Sequence, residues 1–349
     1  MVFWSTPLLL LFHLAGRDDI LAPTAGRIRV MSKLSRREFI GTAIAATGAC
    51  AVGGAVVSRS LKAGGAAEVS TAFVIDRSVK SPTDRVRLGK SGLKVSLVGV
   101  GTGTIGYARH SNQTQLGQEE FTRLMRHSLD RGINFFDLAD SYGTNPFFAR
   151  AVKGVARDRY VVQTKTDSSD AESVASDVDR FLTELETDYI DSVLIHCVTE
   201  PDWTTRYRGA MDALSEAKRR GKIRAHGVTC HSFGALEAAA TSDWVELNQV
   251  RWNPRGAHMD AEVETARALF KKMRARGQGM IGMKVVGQGD IVRGERPAIS
   301  PEDCFRFQVE SGVVDAFVVG VEQTAHIDRL ISGTQLALSE VGYRVVQAA

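Results

Sequence analysis

Eight short apolar runs, each followed by a segment of helical period, constrain this chain more than any other feature. The runs lie near residues 97–101, 134–137, 160–164, 192–195, 223–229, 246–250, 280–283 and 315–320. Most are close to continuously apolar, the exceptions being 223–229 with Arg224 and His226 and 246–250 with Glu246, Asn248 and Gln249. A strand of that kind is buried on both faces, as in a parallel sheet covered by helices. Between the runs, apolar residues recur at i, i+3 and i+4. Phe121, Leu124, Met125 and Leu129 do so in one segment, and Val174, Val178, Phe181, Leu182 and Leu185 in another. Eight such units, with polar residues gathered at the C-terminal strand ends, predict the α/β class and a (β/α)8 TIM barrel over residues 85–349. Its functional site belongs on the top face. Ahead of the first unit, Val86-Arg87-Leu88 and Leu93-Lys94-Val95 flank Gly89-Lys90-Ser91-Gly92. This reads as an N-terminal β-hairpin that caps the barrel bottom.

The 349 residues suit one barrel with extra chain in front, because a barrel takes about 250 residues as a single domain. The net charge of +4 misleads. The first 60 residues hold seven basic and three acidic side chains, which accounts for the whole excess. The barrel segment is balanced, so it has no basic bias toward nucleic acid or anionic membrane. Cys50, Cys197, Cys230 and Cys304 show no CxxC spacing. Neither a disulfide framework nor a metal site is expected.

The leader carries its own signal. Ser35-Arg36-Arg37-Glu38-Phe39-Ile40 fits the S-R-R-x-F-[LI] pattern of twin-arginine (Tat) export signals and precedes a Gly/Ala-rich run over 41–57. That run is too short and too weakly apolar for a membrane span, so no stable membrane anchor is expected in the mature protein. The reading is a Tat signal peptide over 31–58 and a small, polar linker over 59–84, with cleavage between 58 and 68. The partner is the Tat export machinery, and the destination periplasmic or extracytoplasmic. A signal normally starts a few residues before its arginines, and Met31 supplies such a start. Residues 1–30 then form an extension that is not translated; a precursor mass that includes them would contradict this. Cys50 is a poor lipidation site, because Thr47 stands where a lipobox usually has Leu.

Three strand ends carry polar groups of one kind of chemistry. Gly132-Ile133-Asn134-Phe135-Phe136-Asp137 is followed five residues later by Tyr142. Val161-Val162-Gln163-Thr164 ends in Lys165, and Ser192-Val193-Leu194-Ile195 in His196. Asp, Tyr, Lys and His at neighbouring strand ends can make one proton-transfer site. The arrangement resembles the aldo-keto reductase family, whose members reduce carbonyls with a nicotinamide cofactor on a (β/α)8 barrel. The resemblance covers roughly residues 85–332. It implies that Tyr142 is the general acid in reduction and the base in oxidation. Lys165 would pull the phenol pKa down from about 10, with Asp137 compensating the buried ammonium. His196 would hydrogen-bond the substrate oxygen. Asp140, Cys197 and His231 are given structural roles.

Gly101-Thr102-Gly103-Thr104-Ile105-Gly106 is a literal GxGxxG after a strand. A dinucleotide fingerprint would need a helix to begin inside the glycines. The polar stretch 107–117 has no helical period, and the helix is expected to begin near Gln118. Gly101, Thr102 and Gly103 are read instead as a loop passing close to cofactor and substrate.

The resemblance implies further cofactor contacts, position by position. Gly227-Val228-Thr229-Cys230-His231 matches the family's G-[VI]-S-N-[FH]. Thr229 then holds the nicotinamide carboxamide, and Cys230 replaces an asparagine. Gln249 would bind the same amide, and Met283 would pack on the ring face. Lys284 would reach the pyrophosphate. Gly320, Val321, Glu322 and His326 would form a phosphate-binding turn before the last helix. The family default is NADPH. Glu322 stands where NADP-specific members place a cation, which leaves NADH open. The stretch after the last helix is shorter than the loop that narrows the pocket in many relatives. A wider pocket is expected, with the 103–115 loop, Trp203 and Trp252 as walls, unless the tryptophans are core.

Two functions compete. One is an NAD(P)H-dependent oxidoreductase acting on an aldehyde, ketone or sugar-like carbonyl. The alternative is a nicotinamide-binding sensor on the same barrel with little turnover. A Schiff-base aldolase through Lys165 is disfavoured, because a charge-paired lysine is a poor nucleophile.

Overall fold

The computed structural model describes residues 79–294 and 297–347. The extension, the signal peptide, Cys50 and the linker up to residue 78 lie outside the described residues.

Strands β1 (Arg85–Arg87) and β2 (Lys94–Ser96) pair antiparallel as a hairpin. Gly89 in its turn has φ +44, and a Cβ there would come within 2.4 Å of the Gly277 carbonyl oxygen. Only glycine lets the turn seat so close to the barrel wall. Leu88, Leu93 and Val95 then join Phe135, Val161, Leu194, Leu247 and Ile281 in one buried cluster. The hairpin is therefore the barrel floor, as the glycine turn predicted.

The eight runs form β3 (Val98–Gly101), β4 (Phe135–Asp137), β5 (Val161–Thr166), β6 (Ile190–Val198), β7 (Ile223–Cys230), β8 (Leu247–Arg251), β9 (Gly279–Met283) and β10 (Ala316–Gly320). They close a barrel in the order β10-β3-β4-β5-β6-β7-β8-β9, with every neighbour parallel. Period two divides each strand between two cores. Phe135, Val161 and Leu194 face inward with the hairpin, whereas Phe136, Val162 and Val193 pack outward against the helices.

The helices form where period and caps agree. In Ala171–Glu184 the Asp170 carboxylate accepts from the Ser173 amide, and Val174, Val178 and Phe181 are buried. Burying each such side chain contributes about 1.5–3 kcal/mol. Ser300 and Asp303 form a capping box around Pro301 on the helix Pro301–Ser311. Past β3 the glycines run through a loop. A one-turn helix, Asn112–Gln115, capped by Ser111, forms inside the stretch expected to carry none, and the first long helix is Gly117–Asp130; neither begins inside the glycines, so the GxGxxG opens no helix. Trp203 and Trp252 are wholly buried, and their indole N–H groups donate to the Ala235 carbonyl and the Ser311 hydroxyl. They are core residues, not pocket walls. Among the described residues, no helix is long and apolar enough to cross a membrane.

Candidate active site

The register of three adjacent strands assembles the site. Asp137 ends β4 opposite Gln163 of β5, and Lys165 lies opposite Leu194 of β6. Lys165 is completely buried, and its Nζ donates to Asp137 Oδ1 at 2.5 Å and to the Leu138 carbonyl at 2.7 Å. Asp137 also accepts from Gln163 Nε2 at 2.8 Å and from Gln249 Nε2 at 2.9 Å. Gln163 Nε2 reaches Gln249 Oε1 at 3.0 Å as well. A buried ion pair needs this kind of hydrogen-bonded lining to offset its desolvation. Gln249 thus holds Asp137, with both ends of its amide used inside the barrel.

Tyr142 closes a short turn, Asp140–Tyr142, after β4. Gly103 and Gly106 lie against its ring, and a Cβ on Gly103 would sit 2.2 Å from Tyr142 Cε2. The loop glycines make room for the phenol. The Lys165 ammonium lies 5.0 Å from the centre of the Tyr142 ring, and the Tyr142 hydroxyl lies 3.3 Å from His196 Nε2. Burial, with Asp137, Cys197 and Asp167 adding to it, pushes the phenol well above its ordinary value. This corrects the expected lowering by Lys165. The ammonium bonds to Asp137 and lies against the ring, not at the oxygen, so desolvation wins.

His196 comes just before a bulge. The register of β6 against β7 shifts between Ile195 and Val198, and Cys197 takes φ +56. The bulge turns the end of the strand, and Thr229 holds it by accepting from the Cys197 amide at 3.0 Å. His196 Nδ1 lies 2.8 Å from Asp167 Oδ1 and 3.3 Å from the Ser141 hydroxyl. Burial lowers the His196 pKa despite the opposing bond to Asp167. At Asp167 burial is outweighed by the His196 and Ser141 bonds and by Lys165, which together hold the carboxyl below its ordinary value. Cys197 Sγ lies 3.7 Å from His231 Nε2. Burial pushes that thiol up to about 11 and that imidazole down to about 3. Neutral thiol beside neutral imidazole is no nucleophilic pair.

A cavity of about 560 Å³ opens beside Tyr142 and Asp137. Of the expected cofactor positions, Gly101, Gly103, Met283, Lys284, Gly320, Glu322 and His326 line it. Thr102 is buried, its hydroxyl on the Asp137 carbonyl at 2.9 Å. Thr229, Cys230, Gln249 and Val321 are buried outside the cavity lining, and Cys230 and Val321 pack in the outer core. Burial, with the charge of Arg251, lowers the pKa of half-buried Lys284, which has no carboxylate partner among the described residues. Glu322 accepts from Asn112 Nδ2 at 2.8 Å. Sequence reasoning missed Gln163, Asp167, Arg293 and Arg329, of which the arginines line the cavity. The period-two spacing of Gln163, Lys165 and Asp167 held the signal for the first two.

A closed parallel barrel with a compensated lysine, a phenol and an imidazole on successive strand ends, beside a cavity, is a TIM barrel whose top-face groups are chemically suited to proton transfer. The sequence model of the aldo/keto reductase family matches residues 98–304, and the chain belongs to that family. It is 30% identical to L-galactose dehydrogenase of Arabidopsis thaliana over 41% of this chain and 47% of that one. It is 28% identical to the aldo-keto reductase YhdN of Bacillus subtilis over 43% of this chain and 48% of that one. The matches span about half the length of these curated relatives. Among solved structures, an aldo-keto reductase of Bacillus halodurans in its holo form superposes with a TM-score of 0.60. It shares 18% identity over 74% of this chain and 95% of that one. An aldo-keto reductase of Klebsiella pneumoniae in complex with NADPH gives 0.56 and 19% identity, over 73% and 89%. At these identities the superpositions speak for the fold.

Proposed function

We propose that the protein is an NADPH-dependent carbonyl reductase acting on an aldehyde, ketone or sugar-like carbonyl. The observation that carries this reading is the Asp137–Lys165 pair set against the Tyr142 ring at the edge of the cavity. The residues present fit a dinucleotide. Lys284 is a half-buried cation with no carboxylate partner among the described residues, and a pyrophosphate would supply the missing charge. Arg293 and His326 line the same cavity and suit the extra phosphate of NADPH, while Glu322, in the same lining, is held by Asn112. The nicotinamide, when bound, supplies the hydride. The chain supplies the proton: Tyr142, kept protonated by burial, gives it to the substrate oxygen. Lys165 and Asp137 hold the floor under the phenol with their charges balanced. The curated relatives' names, among them L-galactose dehydrogenase and methylglyoxal reductase, support the same substrate range. The test is a titration of NADPH and NADH into the purified protein, then loss of nicotinamide absorbance with a panel of carbonyls. Binding with oxidation supports the reading. Binding without turnover favours a sensor, and no binding of either nucleotide sinks both.

We further propose that the protein is exported through the Tat pathway. The support is the Ser35–Ile40 motif and the weakly apolar run behind it. That route carries folded proteins, which suits an enzyme that must load its nucleotide before export. Replacing Arg36 and Arg37 by Lys should leave the precursor in the cytoplasm; normal processing of that variant would refute the assignment.

A further inference from the structure

We infer that Asp167 is a positioning residue that fixes the proton of His196 on Nδ1, so that Nε2 accepts from Tyr142 instead of donating to substrate. This deepens the reductase reading above and rests on it for its catalytic consequence.

The argument runs through donors and acceptors. The Asp167 side chain is 48% exposed and that of His196 only 6%. A carboxylate only accepts, so the 2.8 Å contact between Asp167 Oδ1 and His196 Nδ1 requires a proton on Nδ1. Ser141 gives its own hydroxyl proton to the same carboxylate and strengthens its hold. The buried imidazole is neutral, so one proton on Nδ1 leaves a lone pair on Nε2. The group facing Nε2 is the Tyr142 hydroxyl at 3.3 Å, and it is the donor there. Tyr142, His196 and Asp167 therefore form one directed chain from the cavity to a half-exposed carboxylate. The family expectation, in which the imidazole donates to the carbonyl, needs the opposite tautomer.

A chemical consequence follows. In alcohol oxidation the two transfers are coupled: as Tyr142 Oη gives its proton to Nε2 it takes the proton of the substrate hydroxyl, so no free phenolate has to form in the buried site. The O–H bond of Tyr142 breaks, an N–H bond forms, and no electrons change hands at these residues. The imidazolium is stabilised by Asp167, much as the carboxylate of a catalytic triad stabilises its histidine. In reduction the same moves run backwards, so that direction starts from the imidazolium held by Asp167, which returns its proton to Oη as Tyr142 gives its own to the substrate oxygen. The other groups around His196 are Lys165 and Asp137, which act on its charge from the β5 and β4 ends, His231 from the end of β7, and Cys197 next in sequence. Lys165 disfavours the imidazolium; Asp137 and Asp167 favour it.

The test is nitrogen NMR of the full chain labelled at histidine, with the His196 signals assigned by their loss in His196→Gln. Wild type should show Nδ1 protonated and Nε2 bare at neutral pH. Asp167→Ala should move His196 toward the Nε2-protonated tautomer, and Asp167→Glu should restore the wild-type pattern. In turnover, Asp167→Ala should lower kcat by roughly tenfold to a hundredfold with KM little changed, and shift the pH profile. Asp167→Glu should recover most of the loss. An Nε2-protonated His196 in wild type overturns the inference, and so does a tautomer indifferent to Asp167→Ala. If the tautomer behaves as stated and no carbonyl is reduced, the positioning by Asp167 stands and the reductase reading falls.

Discussion

Replacing Lys165 by Met tests whether the centre of the site is held by charge balance. The substitution keeps a long unbranched side chain in a wholly buried place and removes only the ammonium. Two bonds disappear, one to Asp137 at 2.5 Å and one to the Leu138 carbonyl at 2.7 Å. The bonds from Gln163 and Gln249 to Asp137 already exist in the wild type, so they do not offset the loss. Removing one partner of a buried pair costs about 3–5 kcal/mol, because it leaves the other charge uncompensated. That is a large share of the roughly 5–15 kcal/mol that holds a domain together. The assay is urea unfolding of wild type, Lys165→Met, Asp137→Asn and the double variant. The double variant carries neither charge and should be more stable than Lys165→Met, with a coupling of at least about 1 kcal/mol. A loss below about 1 kcal/mol in Lys165→Met, or a double variant no more stable than it, would refute charge compensation as the organising force.

Three further outcomes follow from the same geometry. Tyr142→Phe should lower carbonyl reduction by roughly a hundredfold or more while nucleotide affinity stays within about twofold, because the hydroxyl serves the chemical step; unchanged turnover refutes its assignment. His226 stacks on Trp244 at 4.4 Å, and burial lowers its pKa from 6.5 to about 4. The unfolded imidazole binds a proton that the folded one refuses, so this contribution is full above pH 6.5 and is lost as pH falls toward 4. It amounts to up to about 3 kcal/mol, and His226→Gln should flatten the slope of stability against pH in that window; an unchanged slope would contradict it. Cys197, its thiol pushed up to about 11, should react with iodoacetamide at pH 7 far more slowly than free cysteine, which peptide mapping can follow; labelling at the free rate would mean that the thiol is not shielded as described.

Much of this architecture was legible because parallel strands buried on both faces leave an unmistakable apolar run. The hairpin floor was legible for a different reason, since Gly89 marks a turn that no other residue can make against Gly277. Asp137, Lys165 and His196 stood out as polar residues ending apolar runs. Their environment was less visible. The pull of Lys165 on Tyr142 looked plausible from charge alone, but it depends on where the ammonium sits and on what else it bonds to. The cofactor positions separate along the same line. Val228 and Cys230 share the outward face of β7 and pack in the outer core, while Thr229 holds the bulge at Cys197. Alternation along β7 would have placed Cys230 with Val228, although family correspondence placed it at the nicotinamide.

Strand β5 explains how the four expected catalytic residues come together. It lies between β4 and β6, and its odd-numbered residues Gln163, Lys165 and Asp167 follow one another at the period of a strand face. Gln163 and Lys165 bond Asp137 at the end of β4. Asp167, just past the strand end, bonds His196 at the end of β6. The middle strand thus sets the charge state on one side and the proton position on the other, and Tyr142 sits where the two meet, within reach of His196 and over Lys165. A one-residue slip of β5 would turn all three side chains away from the site. The long apolar packing of Val162 against the outer core, which resists that slip, therefore protects the chemistry as well as the fold.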